Sequence, residues 1–318
     1  MKPPRFWSAP DHPAGALLSP LGAAYGVVVR RRLARAAPWR APVPVICAGN
    51  VTMGGVGKTP WTMMLARRLT ARGRAPHVLT RGYGGTARGP LRVDGQAASE
   101  VGDEALLLAR AAPTWVGADR AASAEAAVAA GADVLLMDDG FQNPGLAKDV
   151  SFLLLSAGGW GNGRVFPAGP LRERPGDAVR RAHAVVCVGA QDQAVPDAIR
   201  RLTNGLPLLR AWLDLDASAL TDDAPVHALA GIARPERFFD ALTRAGHPPA
   251  RTHAFPDHHA FTDAELDVVL AEAGGAQLVT TEKDHVRLPP AYRDRITALP
   301  AMMRTDEAAL DAVLAAAT

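Results

Sequence analysis

The chain has 318 residues, of which 48% are hydrophobic and 21% are charged, so it has enough apolar content for two folded domains and is not predominantly disordered. No apolar run reaches the roughly 18 residues of a membrane-spanning helix and no signal-peptide pattern opens the chain, so we expect neither feature. Aromatic residues make up only 5% and no basic stripe recurs along the chain, which argues against a nucleic-acid partner.

Positive charge is concentrated at the N-terminus. Residues 1–40 hold seven basic residues and one aspartate, whereas the whole chain carries a formal net charge of +3. A helix is predicted here, with Ser19 as its N-cap, Pro20 as its first residue and an end before Pro38. Apolar side chains share one broad face, with Arg30 opposite: Leu21, Tyr25, Val28, Val29 and Leu33. Two interpretations are open: a helix packed on the core, or an amphipathic helix on an anionic membrane surface.

From residue 41 onward, apolar strand-like runs alternate with helical segments. The first series of predicted strands is VPVICAG, HVLT, TWVGA, DVLLMDDG, SFLLLS and AVVCVG. After a polar stretch at Asp214–Pro225, a second series contains VHALAGI, THAFP and AQLVTTE and closes with a helix. Buried strands that alternate with helices form parallel sheets covered on both faces. We therefore predict an α/β chain with an N-terminal segment (1–40), a first domain (41–218) and a smaller α/β domain (219–318).

A glycine-rich loop follows the first predicted strand and precedes a helix. Its residues are Thr52, Met53, Gly54, Gly55, Val56, Gly57, Lys58 and Thr59. They match the phosphate-binding pattern G-x-x-x-x-G-K-[ST] everywhere except at Thr52. In that pattern backbone N–H groups surround the phosphates, Lys58 reaches the β- and γ-phosphates, and the Thr59 hydroxyl binds Mg²⁺. A glycine turn that merely caps a helix is the alternative, but the strand–loop–helix context favours a nucleotide site.

Two aspartates end the buried strand DVLLMDDG. Asp138 and Asp139 would supply a carboxylate that organises Mg²⁺ directly or through water. An Asp-Asp-Gly turn alone would carry no such meaning, but together with the glycine-rich loop it predicts a P-loop NTPase-type parallel sheet. The chain contains no Asn-Lys pair, an element of GTP-specific sites, so the pattern favours ATP.

Candidate acid–base groups lie in two further segments. Asp103 and Glu104 open a predicted helix, where acidic residues also simply favour the helix dipole. The segment HAFPDHHAFT contributes His253, Asp257, His258 and His259. This segment could bind a metal, supply a histidine base paired with a carboxylate, or form a turn before a helix capped by Thr262. Spacing alone does not choose among the three.

Three further segments carry polar side chains of interest, and the first of them could contact a phosphate or a sugar. Arg81 and Tyr83 belong to RGYGG, which follows a strand and is otherwise only a turn. Arg172 and Glu173 belong to the rigid loop FPAGPLRER, and the rare lysine Lys283 follows the strand AQLVTTE.

Taken together, these motifs resemble the tetraacyldisaccharide 4′-kinase family, the lipid A 4′-kinases. The matching stretches are LLSPLGAAYG, GNVTMGGVGKTP, RGYGG, VGDEALLLA, DDGFQ, FPAGPLRE, FPDHHAFT and TTEKDHVRL, in the family's order across residues 17–289. Threonine at the first loop position is ordinary in that family, so Thr52 fits. Ala105 is a departure, because proline usually follows Gly-Asp-Glu.

The resemblance implies phosphorylation, dependent on ATP and Mg²⁺, of the 4′-hydroxyl of a tetraacyldisaccharide 1-phosphate to the 1,4′-bisphosphate, in lipid A biosynthesis. It implies a glycolipid substrate and a peripheral position on the cytoplasmic face of the inner membrane, held by the basic N-terminal segment. We expect no obligate protein partner.

The resemblance also implies residue roles. Asp103 and His258 would together deprotonate the sugar hydroxyl, and the further catalytic residues would be Lys58, Asp138 and Asp139. The metal shell would come from Thr59, Asp138, Asp139, Gln142 and Glu173. Contacts to the lipid or its phosphate would come from Arg81, Tyr83, Arg120 and Arg172. We also expect the second domain to close over the nucleotide, because phosphoryl transfer gains from the exclusion of water.

Other classes of function stay open on the residues alone. A nucleotide-dependent regulatory or metal-delivery protein would use the histidine-rich segment as a metal site. A kinase of a soluble small molecule would pack the N-terminal helix internally. A non-enzymatic membrane-binding module would leave the pairing of Lys58 with Asp138 without a purpose.

Overall fold

The chain folds around two β-sheets. The structure is a computed structural model and describes residues 4–203, 205–232, 234–257 and 259–315. The strands in chain order are β1 (Val45–Asn50), β2 (Pro76–Thr80), β3 (Leu91–Arg92), β4 (Thr114–Val116), β5 (Val134–Asp138), β6 (Val150–Ser156), β7 (Ala184–Gly189), β8 (Leu208–Leu215), β9 (Val226–Ala230), β10 (Arg251–Ala254), β11 (Gln277–Thr281), β12 (Thr297–Leu299) and β13 (Ala301–Thr305). They form a nine-stranded and a four-stranded sheet. The predicted α/β fold with a second, smaller α/β unit is confirmed.

Helices precede the first strand and connect the others. After a 3₁₀ helix at Arg5–Ser8, the α-helices are α1 (Pro13–Leu17), α2 (Ser19–Ala34), α3 (Lys58–Ala71), α4 (Ala98–Val101), α5 (Asp103–Ala109), α6 (Arg120–Ala129), α7 (Pro175–Val179), α8 (Asp197–Thr203), α9 (Pro235–Arg244), α10 (Asp263–Ala273), α11 (Glu282–His285), α12 (Pro290–Arg293) and α13 (Glu307–Leu314). On the larger sheet, α3, α5 and α13 pack against one face, and α6, α7 and α8 pack against the other. Successive β1 residues alternate between these two cores: Ile46 lies in the first and Val45 in the second.

The strand order brings the two predicted phosphate-binding motifs side by side. The larger sheet has the order β13-β8-β7-β6-β1-β5-β2-β4-β3. Its strands are parallel except for the edge strands β3 and β13. β1 lies between β5 and β6, and Ala48 of β1 is in register with Asp138 of β5. The glycine-rich loop and the strand-end aspartates therefore emerge at the same sheet edge. The smaller sheet is parallel, with the order β10-β9-β11-β12.

The N-terminal helix differs from its predicted start. α2 begins at Ser19, directly after the separate helix α1, and the Ser19 hydroxyl donates to the Gly15 carbonyl (2.8 Å). The predicted N-cap role of Ser19 is therefore wrong, because the preceding turn is already helical. The predicted apolar face is divided: the Tyr25 ring lies 5.6 Å from the Phe166 ring, whereas Leu21 and Val28 are 59% and 64% exposed. Among the described residues, no helix is long and apolar enough to span a bilayer.

The chain returns to the larger sheet after the smaller one is complete. β13 pairs antiparallel with β8, and α13 packs beside α3, where Arg68 and Asp311 form an ion pair of 2.8 Å. The prediction of one domain over 219–318 is therefore wrong at its C-terminal end. The smaller sheet and its helices occupy 226–299, and 301–314 complete the larger sheet. The sequence pattern did not predict β13 as a strand, and so short an apolar segment carries no mark of the sheet that it joins.

Candidate active site

The glycine-rich loop joins β1 to α3 and is anchored at two points. The backbone N–H of Met53 donates to the Pro170 carbonyl (2.8 Å). Gly57 has a φ of +86°, and a Cβ there would lie 2.8 Å from Met303 Cε. Only glycine suits such a position, because the backbone is left-handed and β13 lies close behind it. Gly54 and Gly55, between these anchors, are exposed. The loop therefore keeps exposed backbone on a fixed base, as a phosphate cradle requires.

Asn50 organises this loop, and the sequence reasoning did not select it. Its buried amide donates to Thr52 Oγ1 (3.2 Å) and to the Gly54 carbonyl (3.3 Å). Its Oδ1 accepts from Lys58 Nζ (3.3 Å). One side chain thus shapes the loop and holds its lysine. The available signal was a polar residue at the last position of an otherwise apolar buried strand.

Asp138 lies beneath the start of α3. The hydroxyl of Thr59 donates to its Oδ2 (3.4 Å), and the hydroxyl of Thr62 donates to its Oδ1 (3.0 Å). Burial raises the pKa of Asp138 to about 7, and the charge of Glu104 raises it further, whereas Lys58 opposes the shift. A buried carboxyl group with a raised pKa favours a cation beside it, because its ionisation is otherwise unfavourable.

Asp139 is the counter-ion of the loop lysine. Its Oδ1 lies 3.6 Å from Lys58 Nζ, and Arg172 donates to Oδ1 (2.8 Å) and Oδ2 (3.2 Å). Burial raises the pKa of Asp139, but Lys58 and Arg172 outweigh it, so its pKa lies below the ordinary value. The pKa values of the two neighbouring aspartates are therefore shifted in opposite directions. An incoming phosphate would compete with Asp139 for the same two cations.

Glu173 and Gln142 lie behind the loop, where they support it. Gln142 Nε2 donates to the Asn50 carbonyl (2.8 Å) and to Glu173 Oε1 (3.0 Å). Both oxygens of the buried Glu173 accept from Arg181 Nη2 at 2.8 Å. Because Arg181 neutralises this carboxylate, the geometry favours a supporting role for Glu173 over the predicted place in the metal shell.

The predicted substrate residues lie around the same sheet edge. Arg81 and Tyr83 are exposed on the loop after β2. Arg120 is the buried first residue of α6, and its Nη1 donates to the Gly117 carbonyl. Burial lowers the pKa of Arg120 to about 10, while Asp138 opposes that shift. With Arg172 on Asp139, the structure brings these cations together near the aspartates.

Asp103 begins α5, where the two sheets approach each other. Gly102 precedes it with a φ of +86°, and a Cβ there would lie 2.5 Å from the Tyr83 carbonyl, so the RGYGG loop packs directly on this helix start. The carboxylate of Asp103 is buried, and its Oδ1 accepts from the Glu104 N–H (3.1 Å). Its Oδ2 lies 3.7 Å from Arg287 Nε, a contact from the smaller-sheet side.

The histidine-rich segment faces this junction. His258, the predicted base, lies outside the described residues. Asp257 Oδ1 lies 3.8 Å from Lys283 Nζ, and His259 Nε2 lies 3.0 Å from Glu265. Thr262 caps α10 in a reciprocal capping box with Glu265, which confirms the predicted cap. Among the residues that the structure describes, no group of three or more His, Cys, Asp or Glu is arranged to hold a metal.

The site defines a nucleotide-binding protein of the P-loop class. It combines a strand, a glycine-rich loop, a Lys-Thr pair at a helix start and a buried carboxylate on the neighbouring strand. Residues 14–318 match the family model described as tetraacyldisaccharide-1-P 4′-kinase, LpxK. The chain belongs to this family, and the predicted resemblance is confirmed.

Named relatives agree with that membership. The chain is 52% identical over 303 residues to the tetraacyldisaccharide 4′-kinase of Gluconacetobacter diazotrophicus, covering 93% of this chain and 91% of the relative. It is 49% identical to that of Rhodospirillum centenum, covering 99% and 96%. The fold is similar to a crystal structure of LpxK from Aquifex aeolicus in complex with ATP, with a TM-score of 0.75, 25% identity, and coverage of 95% of this chain and 98% of that chain.

Proposed function

We propose that this protein transfers the γ-phosphoryl group of ATP to the 4′-hydroxyl of a tetraacyldisaccharide 1-phosphate, giving the 1,4′-bisphosphate in lipid A biosynthesis. The observation that carries the proposal is the phosphate loop, with Lys58 and Thr59 beside Asp138, in a chain of this family. The relatives are named for this activity, and the chain aligns with nearly their whole length. We propose that Arg81, Tyr83, Arg120 and Arg172 contact the anionic glycolipid.

ATP is bound by the loop backbone and by Lys58. Lys58 Nζ lies between Asn50 Oδ1 and Asp139 Oδ1 (3.3 and 3.6 Å). These contacts keep the ammonium group extended toward the loop, so it needs little rearrangement to meet the β- and γ-phosphates. The N-terminus of α3 adds a favourable field for the same phosphates.

Thr59 and Asp138 would hold Mg²⁺. Their oxygens are the hard ligands that this ion prefers, and a buried carboxyl with a raised pKa favours a neighbouring cation. When bound, Mg²⁺ neutralises charge that develops on the phosphoryl oxygens. Asp139 is already paired with Lys58 and Arg172, so it would contribute negative charge near the ion without binding it directly.

Asp103 and His258 form the proposed base. His258 accepts the proton of the 4′-hydroxyl as the oxygen attacks the γ-phosphorus, and Asp103 stabilises the charged histidine. Asp103 suits this role because its carboxylate is buried and fixed by the Glu104 N–H (3.1 Å). Closure of the smaller-sheet half over the nucleotide would exclude water from this pair.

The N-terminal helices are proposed to lie on the cytoplasmic face of the inner membrane. Leu17, Leu21 and Val28 are 81%, 59% and 64% exposed. Their spacing gives one apolar stripe along α1 and α2, and exposed arginines (Arg31 and Arg32) end α2. An apolar stripe that runs into basic residues suits peripheral attachment to anionic lipid.

Phosphate transfer to the lipid tests the proposed function. Purified protein is incubated with γ-labelled ATP, Mg²⁺ and tetraacyldisaccharide 1-phosphate in detergent micelles, and label is followed on the lipid. We expect product from the wild type and a loss of roughly 10²–10³-fold or more in Lys58→Ala, because the γ-phosphate loses its main fixed cation.

Arg67→Ala is the matched control, because Arg67 is an exposed cation on the same helix. It should retain wild-type turnover. Absence of labelled lipid with folded, ATP-binding protein would exclude this acceptor, and wild-type turnover by Lys58→Ala would exclude the assigned site.

A further inference from the structure

Arg287 is a buried cation. The roles assigned to the phosphate loop and to the histidine-rich segment do not explain it. It follows α11, and only 9% of its side chain is exposed. A guanidinium group is costly to bury unless its N–H groups find partners. The identity of those partners therefore indicates its role.

The partners of Arg287 come from four separate segments. Nη2 donates to Asp284 Oδ1 (2.6 Å), within α11, and to the Gly231 carbonyl (3.2 Å), after β9. Nη1 donates to the His259 carbonyl (3.4 Å), within the histidine-rich loop after β10. Nε donates to the Lys283 carbonyl (3.1 Å) and forms an ion pair of 3.7 Å with Oδ2 of Asp103, the first residue of α5. One planar group thus contacts Asp103 and the backbone that neighbours His258 in sequence.

These contacts cross between the two sheets. Asp103 belongs to the larger-sheet half, and the other partners belong to the smaller-sheet half. A second ion pair, Arg110 to Glu282 (3.2 Å), joins the other end of α5 to α11. The two helices therefore lie side by side, and Arg287 fixes the end at which the proposed base is assembled.

We propose that Arg287 is a positioning residue for phosphoryl transfer: its guanidinium holds the Asp103 carboxylate and the histidine-rich loop at a fixed separation. It acts through Asp103 and does not touch substrate. This inference rests on the proposed function and adds to it the device that aligns a base built from two halves of the chain. Arginine suits the task because its rigid, planar donors reach several acceptors at once.

Steady-state kinetics of the full chain with ATP, Mg²⁺ and tetraacyldisaccharide 1-phosphate in mixed micelles test this assignment. In Arg287→Gln we expect kcat to fall roughly 100-fold while KM for ATP stays within about twofold, because alignment is lost and ATP binding is not. Arg287→Lys keeps the charge and should recover about tenfold of that loss.

The pH dependence of kcat provides a second test, because it would not change if Arg287 had only a structural role. Among the residues that the structure describes, the charged side chains that contact Arg287 are Asp103 and Asp284. Loss of the positive charge raises the pKa of neighbouring groups that bind protons, so the acid limb of the kcat profile moves to higher pH in Arg287→Gln. In Arg287→Lys the limb stays near its wild-type position.

Arg293→Gln is the matched control. Arg293 ties the same segment through the carbonyls of Val286 (3.1 Å) and Leu288 (2.9 Å), so its loss loosens the segment and leaves the ion pair to Asp103 in place. We expect wild-type kcat and an unmoved acid limb, with melting curves to verify folding. Wild-type kcat in Arg287→Gln, or a loss shared by Arg293→Gln without a moved limb, would overturn the assignment. A wild-type chain that makes no lipid product would overturn the proposed function and this assignment with it.

Discussion

The carboxyl group of Asp138 is almost completely buried. Burial raises its pKa to about 7, from an ordinary value near 4. Because the unfolded chain ionises first, this group lowers the free energy of unfolding as pH rises from about 4 to about 7, and the loss levels off above the folded pKa. The phosphate loop therefore carries a built-in instability that a bound cation relieves.

Asp138→Asn should make the nucleotide-free protein more stable at neutral pH. The neutral amide removes the penalty of ionisation, so we expect a melting temperature a few degrees higher than wild type at pH 8 and nearly equal at pH 4. Thermal unfolding across this range measures the difference. The same variant should lose turnover, because it loses the carboxylate that the proposed metal site requires.

Asp139→Asn is the natural counterpart, because its pKa is shifted in the opposite direction. Lys58 and Arg172 lower the pKa of Asp139, so its charge stabilises the fold above the ordinary carboxyl pKa and that stability is lost as pH falls below it. This variant should be less stable than wild type at pH 8. Equal changes in melting temperature in both variants would contradict the opposite pKa shifts of the two aspartates.

At the scale of elements, α1 and α2 divide their apolar residues between the protein and solvent. Tyr25 packs on Phe166, whereas Leu21 and Val28 face outward. If the outward stripe lies on a membrane, Leu21→Ser with Val28→Ser should weaken binding to anionic phospholipid vesicles about 30-fold or more, because each buried apolar side chain contributes on the order of 1–2 kcal/mol and two are lost. Vesicle co-sedimentation measures the partition.

Val268→Ser provides the comparison for that experiment. Val268 is 58% exposed on α10, against the smaller sheet, so it matches the exposure of Leu21 without belonging to the stripe. It should leave vesicle binding unchanged. If the double variant binds vesicles as well as the wild type, α2 is a helix that packs on the protein core and does not bind the membrane.

At the scale of the whole molecule, the last residues of the chain complete the first domain. Met303 of β13 lies against Gly57, and Leu310 and Leu314 of α13 share a core with Trp61 of α3. A chain that ends at residue 299 should therefore lose nucleotide binding and cooperative unfolding. Each buried leucine removed costs about 2–5 kcal/mol, and total stability is about 5–15 kcal/mol.

A chain that ends at residue 315 keeps β13 and α13 and should retain both properties. Calorimetric titration with ATP and thermal melting compare the two truncations. Wild-type ATP affinity in the shorter chain would contradict the structural role of β13.

The sequence predicted those parts of the fold that depend on local pattern. The phosphate loop, the aspartates that end β5 and the cap at Thr262 each occupy a few consecutive residues, so composition and spacing were sufficient. β8 and β13 were not among the predicted strands, and residues 301–314 were placed in the wrong domain, because the pairing of β8 with β13 depends on contacts between distant segments. The ion pairs of Glu173 with Arg181 and of Asp103 with Arg287 were likewise not predictable, since many arginines compete for each acid in this composition.

The return of β13 and α13 to the first sheet also constrains how the protein is made. Synthesis proceeds from the N-terminus, and domains generally fold as their residues emerge from the ribosome. Here the smaller sheet, residues 226–299, is complete before the strand that closes the larger one exists. The larger sheet therefore keeps an open edge at β8 until residues 301–305 have been synthesised. Until then Met303, which lies close behind Gly57 of the phosphate loop, is missing from the nascent fold.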